Sequence, residues 1–194
     1  EATSLTTLIG APGEVFVFTA ANTVLTPLLT TATLSALSAT NSSAGLSPTF
    51  ASTYTDYTLT VNSGSSSTDI TATGSTGTSV LINGSASPKT IGMSASVSSV
   101  SGSGSGSVMT YTTSAAHNFA AGQKVTVTGA TPSGYNVTAA TITSASGSTF
   151  TVAGITTGSS SGTIAATIID AKITVMVTAE DGTTVNKYTI TANK

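Results

Sequence analysis

Apolar and polar residues alternate in short runs along most of the chain, and a period of two is typical of β-strands. In TDYTLTVNSG, the apolar residues Tyr57, Leu59 and Val61 alternate with polar ones. These three side chains are therefore predicted to share the buried face of one strand. The stretch ITATGSTGTSVLING has the pattern of two strands around a glycine-rich turn. Helical periodicity is nearly absent, so the pattern predicts an all-β fold.

The C-terminal stretch AKITVMVTAEDGTTVNKYTITANK has the clearest hairpin pattern. Ile173, Val175 and Val177 fall on one face of its first strand, and Tyr188 and Ile190 fall on one face of the returning strand. The Asp-Gly pair between the two strands favours a tight turn in which both residues take positive φ angles.

A middle region, residues 94–167, differs from the rest of the chain in its sequence pattern and is predicted to be an inserted domain. Its flanks, residues 101–107 and 158–162, are rich in glycine and serine and are expected to be either flexible linkers or hairpin loops. The alternation predicts strands within this region at 108–112, 124–128, 138–143, 150–152 and 163–168.

Composition narrows the classes of function. The chain has 194 residues, of which 39% are hydrophobic and 6% are charged, against about 25% charged residues in an average globular protein. Five scattered lysines and no arginine make no basic surface, so we expect no nucleic-acid partner. No apolar run reaches 18 residues, so we expect no membrane insertion. A hydroxyl-rich surface with few charges favours an assembled extracellular material, and the first residue, Glu1, leads us to expect a removed secretion signal.

The outer segments resemble the bacterial cadherin-like β-sandwich domain. The resemblance rests on LSALSATNSSAGLSPTFASTYTDYTLTV, residues 34–61, and on ITVMVTAEDGTTVNKYTIT, residues 173–191. It covers about half of the chain. It implies an immunoglobulin-like sandwich built from residues 33–93 and 168–194, of a kind found in secreted and surface proteins. Neither a cofactor nor a catalytic activity is implied.

The inserted region resembles a small β-barrel module of phage structural proteins and large bacterial surface proteins. The resemblance rests on AAHNFAAGQKVTVTGA, residues 115–130, on GYN at 134–136 and on STFTV at 148–152. The module usually has Tyr-Asn-Gly where this chain has Val137 after Tyr-Asn, so the local turn is expected to differ. The predicted fold is therefore an immunoglobulin-like β-sandwich with an inserted small β-barrel and an extended N-terminal strand.

Residues that carry chemistry are few, and no catalytic residue, metal ligand or cofactor site is predicted. His117 is the only histidine and cysteine is absent, so a structural role for His117 is favoured over a metal site. No nucleophile elbow or calcium loop is present, and we do not expect an enzyme. Asn41, Asn83 and Asn136 fit the N-glycosylation pattern, although a chain this rich in serine and threonine matches it readily by chance.

The N-terminal stretch EVFVFTAANTVLTPLL is apolar on both faces, and residues 1–32 are predicted to be a donor strand and its linker. Leaving such side chains in water would cost roughly 1.5–3 kcal/mol each. Either the strand pairs with its own sandwich, or it inserts into the sandwich of the next copy, which is donor-strand complementation. The residues predicted to join subunits are Val15, Phe16, Val17, Phe18, Val24 and Leu25.

The sequence thus predicts a structural subunit of an extracellular, cell-surface filament, whose partner is a further copy of itself. A head-to-tail contact of this kind need not close on itself and can build a filament. The alternative is an adhesin or a phage-fibre module whose inserted domain contacts a receptor or glycan. In that case, Tyr111, Phe119, Tyr135 and Phe150 are candidate contacts, although each also fits a core position.

Overall fold

The computed structural model describes residues 27–103, 108–154 and 156–194. Within these ranges the chain forms fifteen β-strands, one 3-10 turn at Ser133–Tyr135 and no α-helix, so the all-β prediction is confirmed. The described part of the chain contains no helix long and apolar enough to cross a membrane. The strands are β1 (Leu34–Ala39), β2 (Leu46–Ser47), β3 (Asp56–Thr60), β4 (Ser67–Gly74), β5 (Ser79–Ile82), β6 (Ser85–Ala86), β7 (Lys89–Gly92), β8 (Ser94–Ser103), β9 (Val108–Thr113), β10 (Lys124–Thr128), β11 (Val137–Ser146), β12 (Thr149–Ala153), β13 (Gly158–Ser159), β14 (Ile164–Thr178) and β15 (Val185–Asn193).

Two sheets pack face to face as a β-sandwich. One has the order β1-β4-β7, and the strands of the other run β6-β5-β14-β15-β3-β2. The pairing of β3 with β15 is parallel. Leu34 and Ile70 from the first sheet and Val175 and Ile190 from the second are all at most 2% exposed and belong to one apolar cluster. The glycine-rich turn predicted before β5 therefore links the two sheets, rather than closing a hairpin.

Six strands close into a barrel beside the sandwich. Their order is β8-β9-β12-β11-β10-β14, and β14 pairs back with β8 to complete the ring. Alternate residues of these strands point inward, and Tyr111, Val125, Ile142, Phe150 and Ile168 are each at most 1% exposed. The prediction of a sandwich with a small barrel is confirmed by this arrangement.

Strand β14 belongs to both parts of the molecule. Its first half pairs with β8 and β10 of the barrel, and its second half, from Ala171 onward, pairs with β15 and β5 of the sandwich. Its 15 residues span roughly 46 Å at a rise of about 3.3 Å per residue. It ends at the 179–184 turn, which lies beside the 75–78 turn. We call this end of the sandwich, which lies farthest from the barrel along β14, the distal end.

The predicted faces agree with the structure. Tyr57, Leu59 and Val61 are buried, and Ile173, Val175, Val177, Tyr188 and Ile190 are all 0% exposed. The predicted strand at 124–128 coincides with β10, and the other strands predicted in the inserted region lie within β9, β11 and β12 or overlap β14. Alternation of large apolar residues was thus a sufficient signal for these strands.

One local prediction is wrong. Of the Asp-Gly pair only Gly182 has a positive φ, 70°, and the turn is wider than two residues, because Ala179 donates its N–H to the carbonyl of Thr184. For the glycine- and serine-rich flanks, predicted to be either linkers or hairpin loops, the described residues Ser101 and Gly102 pair with β13.

Candidate subunit-joining site

The six residues predicted to join subunits, Val15 to Phe18 with Val24 and Leu25, lie outside the described residues. The structure does show where the chain that follows them meets the sandwich. Leu29 donates its N–H to the Glu180 carboxylate at 3.2 Å and accepts a hydrogen bond from the Asp181 N–H at 3.3 Å. A Cβ placed on Gly77 would touch the Leu29 side chain. The described chain before β1 therefore begins at the distal end.

The start of β1 is fixed by a tyrosine hydroxyl. The Leu34 N–H donates to the hydroxyl of Tyr188 at 3.2 Å, and this hydroxyl donates to the Ser52 carbonyl at 3.3 Å. Just before the strand, the Thr33 carbonyl accepts a hydrogen bond from the Ser75 N–H at 2.9 Å. These contacts hold the chain between Leu29 and β1 against the distal end.

Among the described residues, β1 is an outer strand of the three-stranded sheet. Thr40 donates its N–H inward to the Asp69 carbonyl at 3.1 Å, and inward and outward groups alternate along a strand of an antiparallel pair. The N–H and C=O groups of Leu37 and Ala39 therefore point away from β4. No other described strand pairs with β1. Such an edge is a template for a further strand.

An apolar groove opens beside this edge, between β1 and the segment that contains β2. Its volume is about 220 Å³. Leu37 and Leu46 are 6% and 9% exposed at its floor, and Phe50 is half-buried. The complete lining is Leu37, Ser38, Ala39, Ala44, Gly45, Leu46, Thr49 and Phe50, and it includes no charged residue.

The wall formed by Phe50 is held in place by Tyr57. The Tyr57 hydroxyl donates to the carbonyls of Ala51 and Tyr54 at 2.8 and 2.9 Å, and its ring lies 6.3 Å from that of Phe50. Burial raises the pKa of Tyr57 above its ordinary value of 10.0. The groove is not apparent from the alternating pattern of the sequence. A usable signal was the pair of apolar residues, Leu46 and Phe50, within a proline-containing turn.

The opposite edge of the same sheet is partly covered. Gly92, at the end of β7, donates its N–H to the Asn118 carbonyl at 3.1 Å, and a side chain at Gly92 would overlap the carbonyl of His117. The loop of the barrel thus lies on β7. The two edges of the sheet therefore differ, because β7 meets the barrel and β1 does not.

The four aromatic residues suggested as ligand contacts form part of the barrel core. Tyr111, Tyr135 and Phe150 are at most 1% exposed, and Phe119 is 7% exposed. Tyr111 and Phe150 stack with ring centroids 4.8 Å apart, and Phe119 meets Phe150 edge to face at 5.5 Å. These rings are therefore packing residues and do not form a receptor-binding surface.

His117 has hydrogen bonds at both ring nitrogens. Its Nδ1 accepts from the Phe119 N–H at 2.9 Å, and its Nε2 lies 3.0 Å from the Thr149 carbonyl, which makes Nε2 the protonated nitrogen. Its ring also packs on Phe119 at 4.5 Å. This arrangement orders the loop between β9 and β10. Among the described residues no three acidic, histidine or cysteine side chains gather as a metal site.

The three predicted glycosylation sites have different surroundings. The Asn41 side chain donates to the Ser67 carbonyl at 2.7 Å. The Asn83 side chain accepts from the Thr174 N–H at 2.8 Å through its oxygen. Asn136 uses its amide oxygen and nitrogen on the backbone of Ala130. All three are exposed.

Two shallow cavities of about 280 and 300 Å³ lie where the barrel meets the sandwich. They share Asn83, Ala120 and Gln123, and each has one lysine at its border, Lys89 and Lys172 respectively. The Lys89 amine is 3.2 Å from the Ser85 hydroxyl. Their volumes are at or below the lower end of small-molecule sites, about 300–1,000 Å³.

A scan against protein-family models and searches of curated proteins and solved structures found no match to this chain. The fold and the groove therefore have to be interpreted from their own geometry.

Proposed function

We propose that this chain is a structural subunit of an extracellular filament, in which the N-terminal strand of one copy completes the sandwich of the next. The proposal rests chiefly on one combination. A segment that is apolar on both faces precedes the sandwich in the sequence. The outer edge of β1 pairs with no strand of the described residues, and an apolar groove lies beside it. Main-chain hydrogen bonds would extend the sheet, while side chains fill the groove.

The low charge supports the same proposal. Formal net charge is -2, so neighbouring copies repel each other little. The partner is another copy of this chain, no cofactor is needed, and the place of action is the cell surface. The resemblance to the bacterial cadherin-like domain, with its inserted barrel module, stays a prediction.

The experiment is negative-stain electron microscopy and ultracentrifugation of residues 1–194 and of residues 27–194. The longer chain should give pelletable filaments and the shorter one monomers, because the deletion removes the donor and leaves every described contact in place. Monomers from both chains, with the shorter merely less stable, would mean that the segment packs on its own sandwich. That outcome would contradict the filament proposal and favour a binding module.

A control separates loss of the donor from damage to the fold. Replacing Phe16 and Phe18 with asparagine keeps the chain length but removes apolar side chains from one face of the segment. This variant should lose filaments while its far-ultraviolet circular dichroism stays that of the parent. Filaments of normal length from it would show that these side chains do not join subunits.

A further inference from the structure

We propose that the outer edge of β1, with the groove between β1 and the 44–50 segment, is the site that receives residues 14–25 of a second copy. This inference rests on the proposed function and specifies the acceptor half of the joint. A strand added to β1 would bond to the outward N–H and C=O groups of Leu37 and Ala39. Its inward side chains would contact Leu46 and Phe50.

The dimensions of the groove fit side chains better than a free ligand. At about 220 Å³ it is smaller than the roughly 300–1,000 Å³ of small-molecule sites. It has no charged residue to orient a polar ligand. A strand such as EVFVF presents valines on one face and phenylalanines on the other, and the phenylalanine face supplies the larger apolar side chains for the groove.

The path of the chain favours a second copy over the molecule's own segment. Leu29 is bonded to the Glu180–Asp181 turn and lies against Gly77. These turns connect β14 with β15 and β4 with β5, so the chain crosses the distal end away from the outer edge of β1. The described chain before β1 therefore begins at the distal end and not beside the groove.

The two halves of the proposed joint also lie at different positions along the direction of β1. The described chain before β1, which leads to the donor, begins at the distal end. The groove begins about three residues along β1 from Leu34 and continues to Ala44 and Gly45, roughly 10–17 Å closer to the barrel at about 3.4 Å per residue. Donor and acceptor are thus different surfaces, and a contact between them is heterologous and repeats along a line.

Disulfide trapping tests the site, because the chain contains no cysteine. One protein carries Phe16→Cys, Val17→Cys or Phe18→Cys, and a second carries Ala39→Cys on the groove side of β1. The two are mixed under assembly conditions and then oxidised. A disulfide needs Cβ atoms about 3.5–4.5 Å apart, so at least one donor position should give a covalent dimer with Ala39→Cys. The matched control is Thr90→Cys on β7, the other outer strand of the same sheet, which should give none.

A chain with both cysteines in one molecule completes the test. It should give a covalent ladder on a denaturing gel, and an internal cross-link without a ladder would overturn the choice of a second copy. Filaments that trap through Thr90→Cys, or that trap at neither site, would overturn the groove while leaving the proposed function intact. Absence of any assembly by the parent chain would refute the proposed function itself, and with it the acceptor site.

Discussion

The hydroxyl of Tyr111 provides a test of the barrel core that does not depend on any function. Tyr111 is 0% exposed and donates its hydroxyl to the Tyr135 carbonyl at 2.7 Å, while its ring stacks on Phe150. Tyr111→Phe keeps the ring and its burial but leaves that carbonyl without this donor. A lost buried hydrogen bond lowers the free energy of unfolding by about 1–3 kcal/mol.

The assay is urea unfolding followed by circular dichroism. With a denaturant slope of about 2 kcal/mol per molar, the midpoint should fall by roughly 0.5–1.5 M. The control is Tyr54→Phe, because Tyr54 is 53% exposed and its substitution should leave the midpoint almost unchanged. Equal midpoints for Tyr111→Phe and Tyr54→Phe would refute the claim that the buried hydroxyl stabilises the barrel.

Alkaline pH gives the same prediction a second readout. Burial, and then the neighbouring Tyr135, raise the pKa of Tyr111 from 10.0 to about 12. Because the folded-state pKa is the higher one, this contribution to stability is complete below pH 10 and is lost as the pH rises towards 12. The stability difference between the parent and Tyr111→Phe should therefore shrink between pH 10 and 12. A difference that stays constant over this interval would contradict the assignment.

Two further predictions concern a turn and a crossover. The Asp181 carboxylate accepts hydrogen bonds from two backbone N–H groups and from the Thr184 hydroxyl, and these lower its pKa from 3.8 to about 2. An NMR titration of the Asp181 carboxylate should find a midpoint of about 2. Asp181→Asn should lower the free energy of unfolding, and this loss should disappear as the pH falls from about 4 to 2. A midpoint near 3.8 would contradict the claim that these hydrogen bonds stabilise the carboxylate. Gly92→Ala would bring a methyl group onto the His117 carbonyl and should lower the thermal midpoint by several degrees. Gly64→Ala is the control, because Gly64 has open space around it, and it should leave the midpoint unchanged. Equal midpoints for the two variants would contradict the close approach of β7 to the His117 carbonyl.

Some of the fold was predictable because large apolar residues alternate where one strand face is buried. Strand β8 shows the limit of this signal. Its buried residues Val97 and Val100 are three apart, which breaks a period of two. A β-bulge between Val97 and Ser99 shifts the register, and both Val97 and Val100 are thereby buried. Serine and glycine carry no hydrophobic signal, so neither the bulge nor the pairing of Gly102 with Gly158 could be predicted from local pattern.

Of the proposed site, only the donor half has a signal in the sequence. The apolar segment that precedes β1 in the sequence stands out because large apolar side chains are normally covered. The acceptor half depends on which strand lies at the edge of a sheet, and that is a property of topology. Nothing in LSALSA, the sequence of β1, distinguishes an outer strand from an inner one.

The placement of the barrel bears on how such a filament would tolerate sequence change. The barrel departs from the sandwich after β7 and returns through β14, whereas the proposed groove lies along β1, on the other side of β4. The described chain before β1, which would continue into the proposed donor, begins at the distal end, roughly the length of the sandwich half of β14 away from the barrel. A joint between β1 and a neighbour's strand therefore uses no residue of the barrel. Substitutions on the outer surface of the barrel should leave subunit joining intact, and those at Leu37, Leu46 or Phe50 should not.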